Sequence, residues 1–111
     1  MRQVLTRQWV TTDFDEDIAF FMRGMNGLEY IEYSSYRADP KTLKKGQVSF
    51  SREQQIVALR TVTDWRGIMD GKEPAEFSQE ALQEKLDLET ISWLLTKIVM
   101  MSTTSTDAEK N

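Results

Sequence analysis

Asp13, Asp15 and Asp17 stand at alternate positions in a run that also holds Glu16, and alternate acids are how a calcium loop begins. The rest of that loop is missing. The position that needs glycine for the sharp turn holds Ile18, and the position of the bidentate glutamate holds Gly24. The run therefore reads as a solvated acidic loop. Paired carboxylates also act as acid and base in glycosidases, but only where their surroundings split the two pKa values, and these acids sit in charged, wet segments. Ser34, Ser35, Ser49 and Ser51 offer hydroxyls, yet the chain has no histidine to serve them as a base. It has no cysteine either, which removes thiolate chemistry, disulfides and sulfur-bound zinc. Lys44 and Lys45 lack an apolar neighbourhood, and no glycine-rich phosphate loop is present. These absences predict a protein that is not an enzyme, carries no cofactor or metal, and acts by binding.

Charge narrows the partners. Eighteen acidic against 14 basic residues leave a net charge of -4, whereas nucleic-acid binders present a surplus of cations to phosphate. The local strip of Lys41, Lys44 and Lys45 is too small to reverse that balance. No apolar run approaches the roughly 20 residues that span a bilayer, and residues 1–10 lack the continuous apolar stretch of a signal peptide. The expected protein is soluble, stays in the compartment where it is made, and binds neither nucleic acid nor membrane. At 111 residues, 40% apolar and 29% charged, it is long enough for one packed domain.

Punctuation along the chain suggests the elements. Residues 4–10 are rich in strand-favouring side chains, and Ile18, Phe20 and Met22 can line one strand face. Asn26 fits the cap of a helix from Gly27 to Arg37, with Glu29 in the first turn. Asn26-Gly27 also fits a hairpin turn returning through Leu28–Tyr33; the helix is the preferred reading. Asp39-Pro40 ends that element and a basic loop follows. Ser51 caps the next helix, where Ile56, Leu59, Val62 and Thr63 recur at helical spacing up to Asp64. Trp65 to Gly71 reads as a turn-rich crossover with a tight turn at Asp70-Gly71, and Pro74 keeps the next segment extended. Ser78 caps a short helix bearing Leu82 and Leu86, and Asp87 caps a last one from Leu88 to Met101. The prediction is a mainly α, α+β single small domain over 1–101, with about four helices and one or two short N-terminal strands. The polar stretch 102–111 is expected to be a flexible tail.

On the last helix, Leu88, Ile91, Leu94, Leu95 and Ile98 make one stripe at about 100° per residue, the natural core face. Trp93 and Met100 fall together on nearly the opposite side, flanked by Thr96 and Lys97. Two readings stand. These residues form a contact surface for a partner or a second copy, or the N-terminal strands bury the helix on both sides. Trp65, Ile68 and Phe77 read as anchors of the crossover onto the core.

The stretch Val62-Thr-Asp64-Trp65-Arg-Gly67-Ile68-Met-Asp70-Gly71-Lys-Glu-Pro74-Ala-Glu-Phe77-Ser78-Gln-Glu80-Ala-Leu82 resembles the tail assembly chaperones of long-tailed, siphovirus-type bacteriophages. In that family a helix leads to a Trp-x-Gly turn and an Asp-Gly. A Pro and a Phe-Ser follow, and the Ser opens a leucine-bearing helix before a closing helix. The likeness extends over residues 18–101 and is specific in 62–86. It implies structural roles for Trp65, Gly67, Ile68, Gly71, Phe77 and Ser78, and no catalytic residues. It also implies a client, the phage tape measure protein, held soluble before the tail tube polymerises, with tail tube protein as an additional partner. The implied place is the host cytoplasm, with absence from the mature virion, and many members have a longer frameshifted form. The competing readings are a structural phage subunit of head–tail connector type and a host-directed adaptor or inhibitor.

Overall fold

The computed structural model describes residues 4–37 and 50–109, with side chains as far as Thr103. The basic loop and its lysines Lys41, Lys44 and Lys45 lie outside the described residues, as does Asp39-Pro40. Strand β1 (Gln8–Thr11) and strand β2 (Ala19–Met22) form an antiparallel hairpin, Trp9 opposite Phe21 and Val10 opposite Phe20. The acidic run is its connection. Thr12 Oγ1 donates to the Asp15 carbonyl (2.7 Å) and the Asp17 amide donates to Asp15 Oδ1 (2.9 Å), so side chains close the loop locally.

Helix α1 (Gly27–Ser35) settles the choice at 27–37. Asn26 accepts from the Glu29 amide and Glu29 accepts from the Asn26 amide, a complete capping box. Helix α2 (Arg52–Leu59) opens on a second box between Ser51 and Gln54. It ends before the point the spacing suggested. Strand β3 (Val62–Arg66) takes Val62 and Thr63 out of the expected helix and Trp65 out of the expected crossover. The β-branched run Thr61-Val62-Thr63 and the following Trp favour a strand. The freed helix end is satisfied from elsewhere: Thr61 Oγ1 donates to the Ala58 carbonyl, and Gln79 Nε2 donates to those of Leu59 and Val62.

β3 pairs antiparallel with β2, so the sheet has three strands in the order β1-β2-β3, with a bulge between Phe21 and Met22. The expectation of one or two N-terminal strands is corrected accordingly. Strands β4 (Met69–Asp70) and β5 (Glu73–Pro74) form a further small hairpin, turned at Asp70-Gly71 with Gly71 at φ +65°. Ser78 caps helix α3 (Gln79–Glu84), and Asp87 accepts from the Thr90 amide at the start of helix α4 (Leu88–Glu109).

One core forms where the sheet meets the helices, making a single small α+β domain with four helices among the described residues. Phe20, Met22, Val62 and Trp65 from the sheet are buried with Val57, Leu59, Leu82, Leu94, Leu95 and Ile98 from the helices. α2 packs against α1, α3 and α4. α4 runs past Met101, and its backbone comes so close to Gly24 that a Cβ there would meet Met101 and Ser102 backbone atoms at 2.8 Å. The Met25 amide donates to Ser102 Oγ (2.8 Å), which donates in turn to the Ile98 carbonyl (2.6 Å).

Candidate docking surface

The four residues singled out on α4 do share a side of the helix, but their surroundings differ. Trp93 is half-buried. Its ring lies 6.2 Å from that of Phe20 and meets Phe14 edge to face at 6.3 Å, and its Nε1 donates to Asp13 Oδ2 (3.1 Å). The β1–β2 loop therefore folds over the Trp93 end of the stripe. Further along, Lys97 is half-buried, Thr96 is exposed and Met100 is 50% exposed. The opposite face also departs from expectation: Thr90 is buried with Leu94, Leu95 and Ile98, while Leu88 is 82% exposed. Leu88 begins the helix at the margin of the stripe, and position on a wheel does not say where the neighbouring elements stop.

A second apolar surface lies on α1 and was missed in the sequence. Leu28 and Ile31, one turn apart on α1, are 81% and 67% exposed, while Tyr33 on the far side of the helix is buried. A wheel over 27–35 places them together, opposite Tyr33, and the hairpin alternative at 28–33 obscured that signal. Between the N-terminal end of α1 and the 102–103 turn of α4 is a half-open cleft of about 530 Å³, lined by Leu5, Met25, Gly27, Tyr30, Ser102 and Thr103. Tyr30 stacks on Tyr33 at 5.8 Å, which fixes that wall. Thr103 lines the cleft three residues beyond Met100, while Leu28 and Ile31 stand on the face of α1 opposite Tyr33.

Beside the cleft, an ion pair holds the start of α1. Arg23 grips Glu29 through both nitrogens (2.6 and 3.2 Å), and its Nη1 also donates to the Gly24 carbonyl. The Arg23 guanidinium holds the Glu29 carboxyl below its ordinary value, against the opposing pull of burial, and the Asn26 amide assists. A carboxyl with a depressed folded pKa stabilises the fold above its unfolded value of about 4.3, and that contribution fades as pH falls through the lower folded value. Glu29→Gln is expected to cost about 1–2 kcal/mol at pH 7. Urea melts should show the gap between wild type and variant closing progressively below about pH 4. A gap that stays constant with pH would remove the ion pair from this account.

The structural residues of 62–78 come together. Trp65 is buried against Phe77 (ring centroids 5.2 Å, interplanar angle 81°) and its Nε1 donates to the Ala75 carbonyl. The Ala75 amide donates to the Ile68 carbonyl (2.8 Å), with Ile68 packed on the core; Gly67 has φ +83° and Ser78 caps α3. Among the described residues no group of three or more acidic side chains is arranged to hold a metal, and no helix is long and apolar enough to cross a membrane. No family model matches the chain, and neither a curated protein nor a solved structure matches it.

Proposed function

We propose that this chain is a tail assembly chaperone of a long-tailed bacteriophage, which binds the tape measure protein and keeps it soluble during tail morphogenesis. It works by contact and performs no chemistry. Its place of action is the host cytoplasm, and it leaves before the virion matures as tail tube protein closes around the client. The observation that carries this reading is the exposed apolar pair Leu28 and Ile31 on α1, with Met100 half exposed on α4 and a cleft lined by Met25 and Tyr30 between the two helices. A helical client lays side chains at i, i+3 and i+4 into such a surface, and methionine adapts its shape to varied sequences. The likeness of 62–86 to the chaperone family adds the identity of the client.

Co-expression with the tape measure protein encoded by the same phage tests the reading. Wild type should hold the client in the soluble fraction. Leu28→Asp with Ile31→Asp changes only exposed side chains, so thermal stability should be retained while affinity falls by about tenfold or more. Met100→Ser should weaken binding to a smaller degree. A client whose solubility ignores both variants would overturn the proposal. So would abundant copies of the chain in purified virions, which point to a structural subunit.

A further inference from the structure

The two open edges of the sheet are not equivalent. The Thr12 amide donates to the Ile18 carbonyl (2.9 Å), continuing the β1–β2 register by one pair. Ladder bonds alternate along an antiparallel pair, so Val10 and Gln8 bond to β2, and the amides and carbonyls of Trp9 and Thr11 face outward. By the same alternation Trp65 faces outward on β3, and there the edge is sealed: the Trp65 amide donates to the carboxylate of Asp64 (2.8 Å). Among the described residues no side chain bonds the Trp9 or Thr11 amide. β1 also has no proline, no charge and no bulge, the devices by which proteins protect a sheet edge.

We propose that β1 pairs antiparallel with β1 of a second copy about a two-fold axis at Val10, joining the two sheets into one of six strands. The register follows from the groups themselves. An axis at Val10 sets Trp9 opposite Thr11 of the other copy, so the outward groups of both exchange their bonds as two ladder pairs. It sets uncharged Gln8 opposite Thr12. It also brings Arg7 to the end of the other copy's β1, where the acidic 13–17 loop begins, once at each end of the seam. Sliding the axis to Trp9 would set Arg7 opposite Thr11 and carry it away from the acidic loop of the other copy. Trp9, 40% exposed, lies 5.2 Å from Phe21 with Arg66 stacked 4.0 Å over its ring. In the dimer the two Trp9 rings become diagonal neighbours across the axis, within reach of each other. This self-pairing is separate from client binding, which uses the α1–α4 cleft.

Sedimentation equilibrium of the full chain from micromolar to about 1 mM is expected to show reversible growth from 12.9 kDa towards twice that mass, weakened by salt. Thr11→Pro is the informative variant. It removes an outward amide that β2 does not use, so circular dichroism and melting should match wild type while dimer affinity drops by at least about tenfold. Arg7→Asp should weaken the dimer, and by more at low salt than at high salt. In wild type the Trp9 and Thr11 amides should gain protection from hydrogen exchange as concentration rises, a readout that holds even if a variant fails to fold. A chain that stays monomeric at 1 mM, or a dimer with those two amides unprotected, overturns the proposal. So does protection that appears only when the tape measure protein is added, since the edge then takes a foreign strand.

Discussion

Gly67→Ala is expected to lower stability by about 3 kcal/mol or more, a large share of the 5–15 kcal/mol that holds a domain of this size together. Two independent costs meet at this residue. Its φ of +83° is strained for any side chain bearing a Cβ, at about 1–2 kcal/mol. A Cβ built there also lands on the Asp17 carbonyl, far inside van der Waals contact, with the Ile18 Cα at 3.0 Å. Both obstacles are backbone, so relief requires the 13–17 loop to shift, and that loop covers Trp93. Gly71 supplies the control. Its φ is +65°, but nothing lies within 4 Å of a Cβ built on it, so Gly71→Ala should cost only the conformational part. Asparagine tolerates positive φ, so Gly71→Asn should be near neutral and Gly67→Asn nearly as damaging as alanine. Urea midpoints of the four variants separate the two costs. If both alanine variants lose the same stability, the close approach of Gly67 to Asp17 contributes nothing.

What could be read in advance was local. Each helix start the sequence marked is satisfied by a side chain within three residues of its amide: Asn26, Ser51, Ser78 and Asp87 all accept from the first turn. The Asp70-Gly71 turn is equally local, because glycine accepts the required φ whatever surrounds it. Strand β3 depends on distant groups. Val62 and Thr63 continue the apolar spacing of Ile56 and Leu59, and only pairing with β2, some 40 residues earlier, decides for strand over helix. The Leu59 carbonyl at the end of the shortened helix and the Val62 carbonyl at the start of β3 are both capped by Gln79, 20 and 17 residues away, which no local pattern announces.

The candidate surface divides in the same way. A helical wheel placed Trp93 and Met100 on one side of α4 and was right about the geometry. It could not show that Asp13 and Phe14, 80 residues distant for the hydrogen bond, would cover Trp93 and leave Met100 half exposed. Leu88 fails for the mirror-image reason: its period fits the core face, but among the described residues no element covers it at the first turn. Leu28 and Ile31 show that amphipathic spacing finds apolar pairs without saying which one the fold leaves outside.

Trp65→Ala should cost about 3–5 kcal/mol, and the pattern of partial variants should show how the 65–78 stretch holds together as a unit. Trp65 is the post between two bodies. Its backbone is in the sheet opposite Phe20, and its ring packs on Phe77 at the entrance to α3. Its Nε1 holds the Ala75 carbonyl, while the neighbouring Ala75 amide closes on Ile68. Truncation therefore loses burial, an aromatic pair and a hydrogen bond together. Trp65→Phe keeps most of the burial but drops the donor, leaving the Ala75 carbonyl short of a partner, for about 1–2 kcal/mol. Phe77→Ala tested alone and with Trp65→Ala should show about 0.5–1.5 kcal/mol of coupling, because the second loss removes a contact the first has already broken. Client binding measured per folded molecule should stay close to wild type in Trp65→Phe, since Leu28, Ile31 and Met100 are on other elements. A Trp65→Phe protein that is fully stable yet no longer binds the proposed client would move the docking surface from the α1–α4 cleft to the 65–77 lobe.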